Sequence, residues 1–234
     1  MRTNQSNTRD RLVFFDVDGT TVDAFHAIDL TFQRHGMNLG DLERFQKRRN
    51  ILKYLGGLRE FPKNLRRQFG KQSRKKLLNT LTEVYRHEAR LFPGMDTLLR
   101  TVSSAPGIRM GVISRNVTHE PEETLKYLFR RHDIDPDAFD FFTCIPVRGD
   151  KSIHMKQVRE SFSIHPARAY ACGDEHSDYL AAIRSGIHPF IVSYGFEDFD
   201  RLTKKFEVPA EVISTSPEAF IGSLRHALDL TTAT

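Results

Sequence analysis

One stretch near the amino terminus, residues 12–20 (LVFFDVDGT), most constrains the fold of this 234-residue chain. Four consecutive apolar residues run directly into two aspartates, Asp16 and Asp18, which a single valine separates. An apolar residue at every position is typical of a strand that is buried on both faces of a parallel sheet. Because open α/β sheets bind ligands at the carboxyl ends of their strands, we expect both carboxylates to face one crevice.

Strand-like and helix-like segments alternate along most of the chain. Apolar runs at residues 109–113, 139–145, 169–172 and 189–192 predict four further strands. Helical spacing of apolar residues predicts a helix that begins near residue 95 and others at 121–132, 152–162, 175–185 and 217–228. Strands that alternate with helices are joined by right-handed crossovers into a parallel sheet. The sequence therefore predicts an α/β fold with a Rossmann-like parallel sheet as its core.

Residues 24–90, which we call the insert, contain no convincing strand. Helical spacing predicts helices at 24–35 and 73–90, and the second carries an apolar stripe from Leu77 to Tyr85. We interpret this stripe as core packing. We predict that the insert is a helical cap, placed after the first strand of a core that residues 1–23 and 91–234 form.

The positive charge of the chain is concentrated in the insert. Residues 44–76 hold thirteen lysines and arginines against one acid, Glu60, so that this segment carries +12 and the remainder −7 of a net charge of +5. The segment could be a solvated helical surface, a cap whose cations attract an anionic substrate, or a nucleic-acid-binding surface. Aromatic residues are sparse there and nucleic-acid-binding motifs are lacking, so we favour the first two interpretations.

Polar residues follow the second and fourth predicted strands. Ser114 and Asn116 end the second strand, Asp174 and Asp178 follow the fourth, and Lys151 precedes the helix between the third and fourth. An aspartate can attack phosphorus as a nucleophile, and a second carboxylate can act as general acid and base. Clustered carboxylates favour a hard cation such as Mg²⁺, while hydroxyl, amide and ammonium donors suit phosphate oxygens. This set of side chains predicts phosphoryl chemistry.

The chain resembles the haloacid dehalogenase superfamily, and within it the phosphoglycolate phosphatase-like enzymes with a helical cap. The motifs that carry the resemblance are residues 16–20 (DVDGT), Ser114 after an apolar pair, Lys151, and residues 173–178 (GDEHSD). The resemblance extends from residue 12 to about residue 228, but it does not include the sequence of the cap. It implies a Rossmann-like core with an inserted α-helical cap.

The resemblance also implies catalytic and metal-binding roles for four aspartates. Asp16 is expected to be the nucleophile and a Mg²⁺ ligand. Asp18 is expected to be the general acid and base and to offer its backbone carbonyl to the metal. Asp174 is expected to complete the protein ligands, and Asp178 to support a metal-bound water or the ligands themselves.

Phosphate binding is expected from Ser114, Lys151 and amides near Asn116. Lys156, one turn beyond Lys151, is a rival for the lysine, but we favour Lys151 because a residue at the start of the helix reaches the crevice better. Arg115 departs from the family pattern and could contact substrate. Thr21 also departs, because it stands where the family usually has leucine. His119 and His176 lie near the expected site, but we assign them no role.

By this resemblance the chain is expected to be a Mg²⁺-dependent phosphatase that hydrolyses a small phosphate monoester through an aspartyl phosphate. A phosphomutase would use the same residues, and a nucleic-acid end phosphatase or a non-enzymatic binding module using the basic insert are further alternatives.

No run approaches the roughly 20 apolar residues of a membrane span. We expect a cytoplasmic protein with Cys144 and Cys172 as buried free thiols, and the sequence leaves a homodimer open.

Overall fold

The computed structural model describes residues 9–37, 39–47 and 74–230, and within them a six-stranded sheet in which every pair of neighbouring strands is parallel. The strands are β1 (Arg11–Phe15), β2 (Ile108–Ser114), β3 (Phe141–Cys144), β4 (Ala169–Gly173), β5 (His188–Val192) and β6 (Ile213–Ser214). Their order in the sheet is β3-β2-β1-β4-β5-β6. This topology confirms the predicted Rossmann-like α/β core.

The described α-helices, numbered in chain order, alternate with the strands except in the insert and between β5 and β6. They are α1 (Ala24–Gln33), α2 (Leu42–Lys47), α3 (Arg74–His87), α4 (Met95–Ser104), α5 (Pro121–Arg131), α6 (Lys151–Ser161), α7 (His176–Ser185) and α8 (Pro217–Ala227). Local capping explains several of the boundaries. The side chain of Asp150 accepts a hydrogen bond from the Ser152 amide at the start of α6, and Gly186 ends α7 at a φ of 69°.

The central strand β1 is buried on both faces, as its apolar sequence predicts. Val13 and Phe15 pack into one hydrophobic cluster and Leu12 and Phe14 into another, because successive side chains of a strand point to opposite faces. Strand β1 pairs with β2 on one side and β4 on the other. The carboxyl ends of these three strands therefore lie side by side.

The structure corrects three details of the sequence analysis. Strand β3 is shorter than the predicted 139–145, since Phe139 precedes it and packs edge-on against Phe129, with 5.6 Å between ring centroids. The two-residue strand β6 escaped prediction because it is too short to show a pattern. Lys151 does not precede its helix but is the first residue of α6.

The two segments that connect the insert to the core are hydrogen-bonded to each other. The Asp23 amide donates to the Arg90 carbonyl at 2.9 Å, and the Phe92 amide donates to the Thr21 carbonyl at 3.0 Å. Helix α3 packs against both α1 and α5. The division of the chain into core and cap stays a prediction, and most of the basic segment lies outside the described residues.

The structure also bears on the predictions for the two cysteines and for membrane spans. Cys172 is buried and free, whereas Cys144 is free but only half-buried. In the part of the chain that the structure describes, no helix has both the length and the apolar character needed to cross a membrane.

Candidate active site

A cavity of about 230 Å³ lies at the carboxyl ends of β1, β2 and β4. The core contributes polar side chains to its wall, chiefly those of Asp16, Asp18, Ser114, Lys151 and Asp174. Helices α1 and α3 of the insert contribute Ile28, Leu81 and Tyr85. The insert therefore lines one side of the crevice that the sequence predicts.

Lys151 links two carboxylates in the floor of this cavity. Its ammonium lies 2.8 Å from Asp16 Oδ2 and 2.7 Å from Asp178 Oδ1, and only 2% of the residue is exposed. The other Asp16 oxygen, Oδ1, accepts the Val17 amide at 2.8 Å. Burial raises the pKa of Asp16, while the ammonium of Lys151 opposes that shift. Asp16 is thus fixed by a buried cation and a backbone amide.

Asp16, Asp174 and Asp178 form an acidic cluster that fits a metal ion. Each offers one carboxylate oxygen, and these oxygens lie within 4.8 Å of one another. Asp174 is fully buried: its Oδ2 accepts the Phe196 amide at 2.6 Å, but its Oδ1 has no hydrogen-bond partner among the described residues. Burial, followed by the charge of Asp16, raises the pKa of Asp174 well above its ordinary value. An all-oxygen donor set with an unsatisfied buried oxygen suits a hard divalent cation.

Two glycines make room for Asp174. A Cβ on Gly19 would lie 2.1 Å from Asp174 Oδ2, and the φ of Gly19 is 83°, which side chains rarely adopt. A Cβ on Gly195 would lie 2.3 Å from the Gly19 carbonyl oxygen and 2.4 Å from Asp174 Oδ2. The Gly195 carbonyl in turn accepts a hydrogen bond from Gln46 Nε2 at 2.7 Å. Helix α2 of the insert therefore contacts the loop that supports Asp174.

Ser114 ends β2 and faces the same cavity. The residue is fully buried, and within the described ranges its hydroxyl has no hydrogen-bond partner. A buried hydroxyl without a partner is costly unless a ligand satisfies it. The neighbouring Arg115 also lines the cavity, but its guanidinium already donates to the Gly149 carbonyl at 3.2 Å and to Ser177 Oγ at 3.0 Å.

Asp18 accepts hydrogen bonds from two neutral side chains. Its Oδ1 accepts the Tyr85 hydroxyl at 2.8 Å, and the Asn116 side-chain amide donates to Oδ1 and Oδ2 at 3.1 and 3.0 Å. Burial, followed by the charge of Asp16, raises the pKa of Asp18 to about 7, against the effect of the hydrogen bonds from Tyr85 and Asn116. A carboxyl with such a pKa can both give and take a proton near neutral pH.

The structure brings most of the predicted site residues together. Asp16, Asp18, Ser114, Lys151 and Asp174 line one cavity, and Asp178 joins them through Lys151. The metal and phosphate roles of these residues stay predictions. The rival lysine, Lys156, is exposed.

The other residues near the predicted site have different partners. The side chain of Asn116 donates to Asp18, which leaves its backbone amide as the group that could meet a phosphate. His119 Nε2 lies 2.8 Å from Asn79 Oδ1, and the His176 ring stacks on Phe206 with 4.3 Å between centroids. The Thr21 hydroxyl is buried and lies 3.2 Å from the Val17 carbonyl, where it closes the turn after β1.

Sequence reasoning missed the role of Tyr85. The stripe that ends with this residue packs into the core as predicted, yet the tyrosine hydroxyl contacts Asp18. A tyrosine at the end of an otherwise aliphatic stripe was the available indication, because a buried tyrosine hydroxyl needs a hydrogen-bond partner. The partner itself is 67 residues away in sequence, so periodicity could not name it.

Solved structures share this architecture. A HAD family hydrolase from Deinococcus radiodurans R1, with bound phosphate and sodium, aligns over 96% of this chain and 98% of its own, with a TM-score of 0.65 and 17% identity. A predicted phosphoglycolate phosphatase from Haemophilus somnus 129PT aligns over 94% and 98%, with a TM-score of 0.62 and 15% identity. A protein from Thermotoga maritima assigned as a beta-phosphoglucomutase aligns over 92% and 99%, with a TM-score of 0.61 and 20% identity. At these identities the likeness concerns the fold.

Sequence comparison gives the family. No curated protein matches the chain. The family model for haloacid dehalogenase-like hydrolases matches residues 13–192, which extend from within β1 to the end of β5 and include all of the aspartates described above. The chain therefore belongs to the haloacid dehalogenase-like hydrolase family.

Proposed function

We propose that this chain is a Mg²⁺-dependent phosphatase that hydrolyses a small phosphate monoester through an aspartyl phosphate on Asp16. The observation that carries the proposal is the pairing of two different carboxylates in one cavity. Asp16 is held by the Lys151 ammonium, and Asp18 is held by two neutral donors. An anchored nucleophile beside a carboxyl that can change its protonation state is what two-step phosphoryl transfer requires.

In the first step, the phosphate group is bound by the Ser114 hydroxyl and the Lys151 ammonium. A carboxylate oxygen of Asp16 attacks phosphorus, and the bond between phosphorus and the leaving-group oxygen breaks. Asp18, in its protonated form, gives its proton to that oxygen, so that a neutral alcohol departs. The product on the protein is an acyl phosphate of Asp16.

In the second step, Asp18 is a carboxylate and takes a proton from a water molecule. The oxygen of this water attacks phosphorus, and the bond between phosphorus and the Asp16 oxygen breaks, which releases inorganic phosphate and restores Asp16. Asp18 ends the cycle with the proton that it had at the start. The insert lines one side of the cavity with Ile28, Leu81 and Tyr85 and would limit the access of other water from that side.

The acidic cluster would hold the metal. Asp16 and Asp174 would be its carboxylate ligands, the Asp18 carbonyl would be a third protein ligand, and Asp178 would support them through Lys151. When bound, Mg²⁺ would offset the negative charge of the phosphate and of the cluster. The buried, unsatisfied Asp174 Oδ1 supports this assignment.

The test is a panel of phosphate monoesters, including p-nitrophenyl phosphate and glycerol 2-phosphate, assayed with Mg²⁺ and with EDTA. The full-length chain should release phosphate with Mg²⁺ and lose this activity in EDTA. Asp16→Asn should lower kcat by at least about a thousandfold, as expected when a nucleophile is removed. The exposed Asp137→Asn is the matched control and should leave kcat unchanged. Inactivity of the wild type across the panel, or equal activity of Asp16→Asn, would contradict the proposal.

A phosphomutase is the second candidate, since the Thermotoga maritima protein assigned as a beta-phosphoglucomutase shares the fold. A mutase returns the phosphoryl group of Asp16 to a phosphorylated sugar instead of giving it to water. Incubation with beta-glucose 1-phosphate and a trace of the corresponding bisphosphate separates the two. Formation of glucose 6-phosphate without net phosphate release would favour the mutase.

A further inference from the structure

Tyr85 brings a polar group of the insert into the catalytic centre. It lies in the last turn of α3, is only 2% exposed, and donates its hydroxyl to Asp18 Oδ1 at 2.8 Å. Leu81, one turn earlier on the same face, lines the cavity beside it. The tyrosine ring thus packs with the stripe of α3, and its hydroxyl reaches the reaction site.

On the other side of Asp18, the core contributes a second hydrogen-bond donor, Asn116. The Asn116 Nδ2 donates to both oxygens of Asp18, and the Asn116 Oδ1 accepts hydrogen bonds from the Thr118 amide at 2.9 Å and from the Thr118 hydroxyl. Because the Thr118 amide can only donate, it requires the amide oxygen on its own side, which fixes Nδ2 toward Asp18. The carboxyl is therefore held between one donor from the core and one from the insert.

The two oxygens of Asp18 differ as a result. Oδ1 receives two donors, from Tyr85 and Asn116, whereas Oδ2 receives only the shared Asn116 amide among the described residues. Oδ2 is therefore the oxygen with room to carry a proton and to present it to a leaving group. Oδ1 can accept the Tyr85 hydroxyl whether or not Oδ2 carries a proton, so this hydrogen bond can persist when Asp18 loses or gains its proton.

We propose that Tyr85 is a positioning residue for the general acid, which orients Asp18 so that Oδ2 delivers its proton to the leaving-group oxygen. The inference rests on the proposed phosphatase function. In the step concerned, the bond between Oδ2 and hydrogen breaks, and a new bond forms between that hydrogen and the departing oxygen. Since Tyr85 belongs to the insert, Asp18 receives this alignment only while α3 is packed against the core.

The leaving group provides a readout that a merely structural role would not change. A p-nitrophenolate ion departs without a proton, whereas the alkoxide of glycerol 2-phosphate needs one. General acid catalysis contributes roughly 10²–10⁴ to a rate, so the loss of its alignment should cost part of that amount. Tyr85→Phe removes one oxygen and keeps the ring that packs in α3. We expect kcat/KM for glycerol 2-phosphate to fall about 10- to 100-fold, and kcat/KM for p-nitrophenyl phosphate to change less than about threefold.

Tyr170→Phe is the matched control, since the Tyr170 hydroxyl donates to the Ala227 carbonyl at 3.3 Å and lies outside the cavity. It should leave both kcat/KM values unchanged. The ratio of the two values in one sample does not depend on how much of the protein is folded. An equal fall of kcat/KM for both substrates in Tyr85→Phe, or no fall for either, would overturn the role of Tyr85 but not the proposed function. A wild type inactive on both would overturn the proposed function, and the inference with it.

Discussion

Asp16 and Asp18 leave the same loop two residues apart, but they enter different surroundings. On one side of the cavity, Asp16 meets a buried ammonium at 2.8 Å and shares it with Asp178. On the other side, Asp18 meets a phenol and a primary amide, both of which are neutral. The Lys151 ammonium favours the ionised form of Asp16, whereas the neutral donors leave Asp18 free to change its protonation state.

This difference shows that the motif alone does not determine the separate roles of Asp16 and Asp18. The spacing of one residue directs the two side chains to different neighbours, and these neighbours come from distant parts of the chain. Lys151 begins α6 in the core, whereas Tyr85 comes from α3 in the insert. Changing these neighbours one at a time should therefore reveal which surroundings create each role.

The largest effect is expected from Lys151→Met, which removes the cation from the side of Asp16. Asp16 and Asp178 would then lie close together in the protein interior without their counter-ion. Breaking a buried ion pair in this way costs about 3–5 kcal/mol. We expect the free energy of unfolding in EDTA, measured by urea denaturation, to fall by about that amount, and phosphatase activity to be lost as well.

Lys156→Met is the matched control for this experiment, because Lys156 lies on the same helix but is exposed. A change of less than about 0.5 kcal/mol is expected for such a surface substitution. If Lys151→Met proved as stable as this control, the ammonium would not be what holds Asp16, and the contrast between the two carboxylates would fail.

A smaller effect is expected from Gly19→Ala, which alters the support of the acidic cluster without removing a carboxylate. The new Cβ would lie 2.1 Å from Asp174 Oδ2, at a φ of 83° that alanine rarely adopts, so Asp174 must move. Altering a residue that supports a metal ligand typically weakens metal affinity about 10- to 100-fold. We expect the Mg²⁺ concentration needed for half-maximal activity to rise by that factor.

The control for an added methyl group is Gly222→Ala in α8. A Cβ there meets nothing within 4 Å among the described residues, and the position is exposed. Replacing a helical glycine by alanine should stabilise the chain by about 0.5–1 kcal/mol and leave the Mg²⁺ requirement unchanged. An unchanged Mg²⁺ requirement in Gly19→Ala would instead show that Asp174 does not hold the metal.

The contrast also shows what could be predicted from the sequence. The buried strand, the parallel sheet and the placement of Asp16, Ser114 and Asp174 follow from local patterns, because parallel strands bring their carboxyl ends to one edge. The contacts of Tyr85 and Gln46 do not follow, since each depends on how the insert packs on the core. Packing of this kind joins residues that are far apart in sequence, and hydrophobic periodicity carries no information about such partners.

The environment of Asn116 illustrates the same limit within the core. Its place after β2 suggests phosphate binding, and its neighbour Ser114 does face the cavity. The side chain of Asn116 nevertheless turns toward Asp18, because Thr118, two residues later, occupies its amide oxygen. The hydrogen bond from Thr118 therefore orients the Asn116 amide group toward Asp18. The position of Asn116 after a strand does not by itself predict this orientation.

The last effect concerns the side of the cavity where Asp18 lies, and it depends on pH. Burial raises the pKa of Asp18 from 3.8 to about 7. Between these values the folded chain keeps a proton that the unfolded chain has lost, so this group favours folding at low pH and that contribution disappears as pH rises. The slope is at most about 1.4 kcal/mol per pH unit. Asp18→Asn lacks this titration. In EDTA its free energy of unfolding should therefore rise relative to the wild type from pH 4 to pH 7 and stay level above, whereas a constant difference would show that the surroundings of Asp18 do not favour its protonated form.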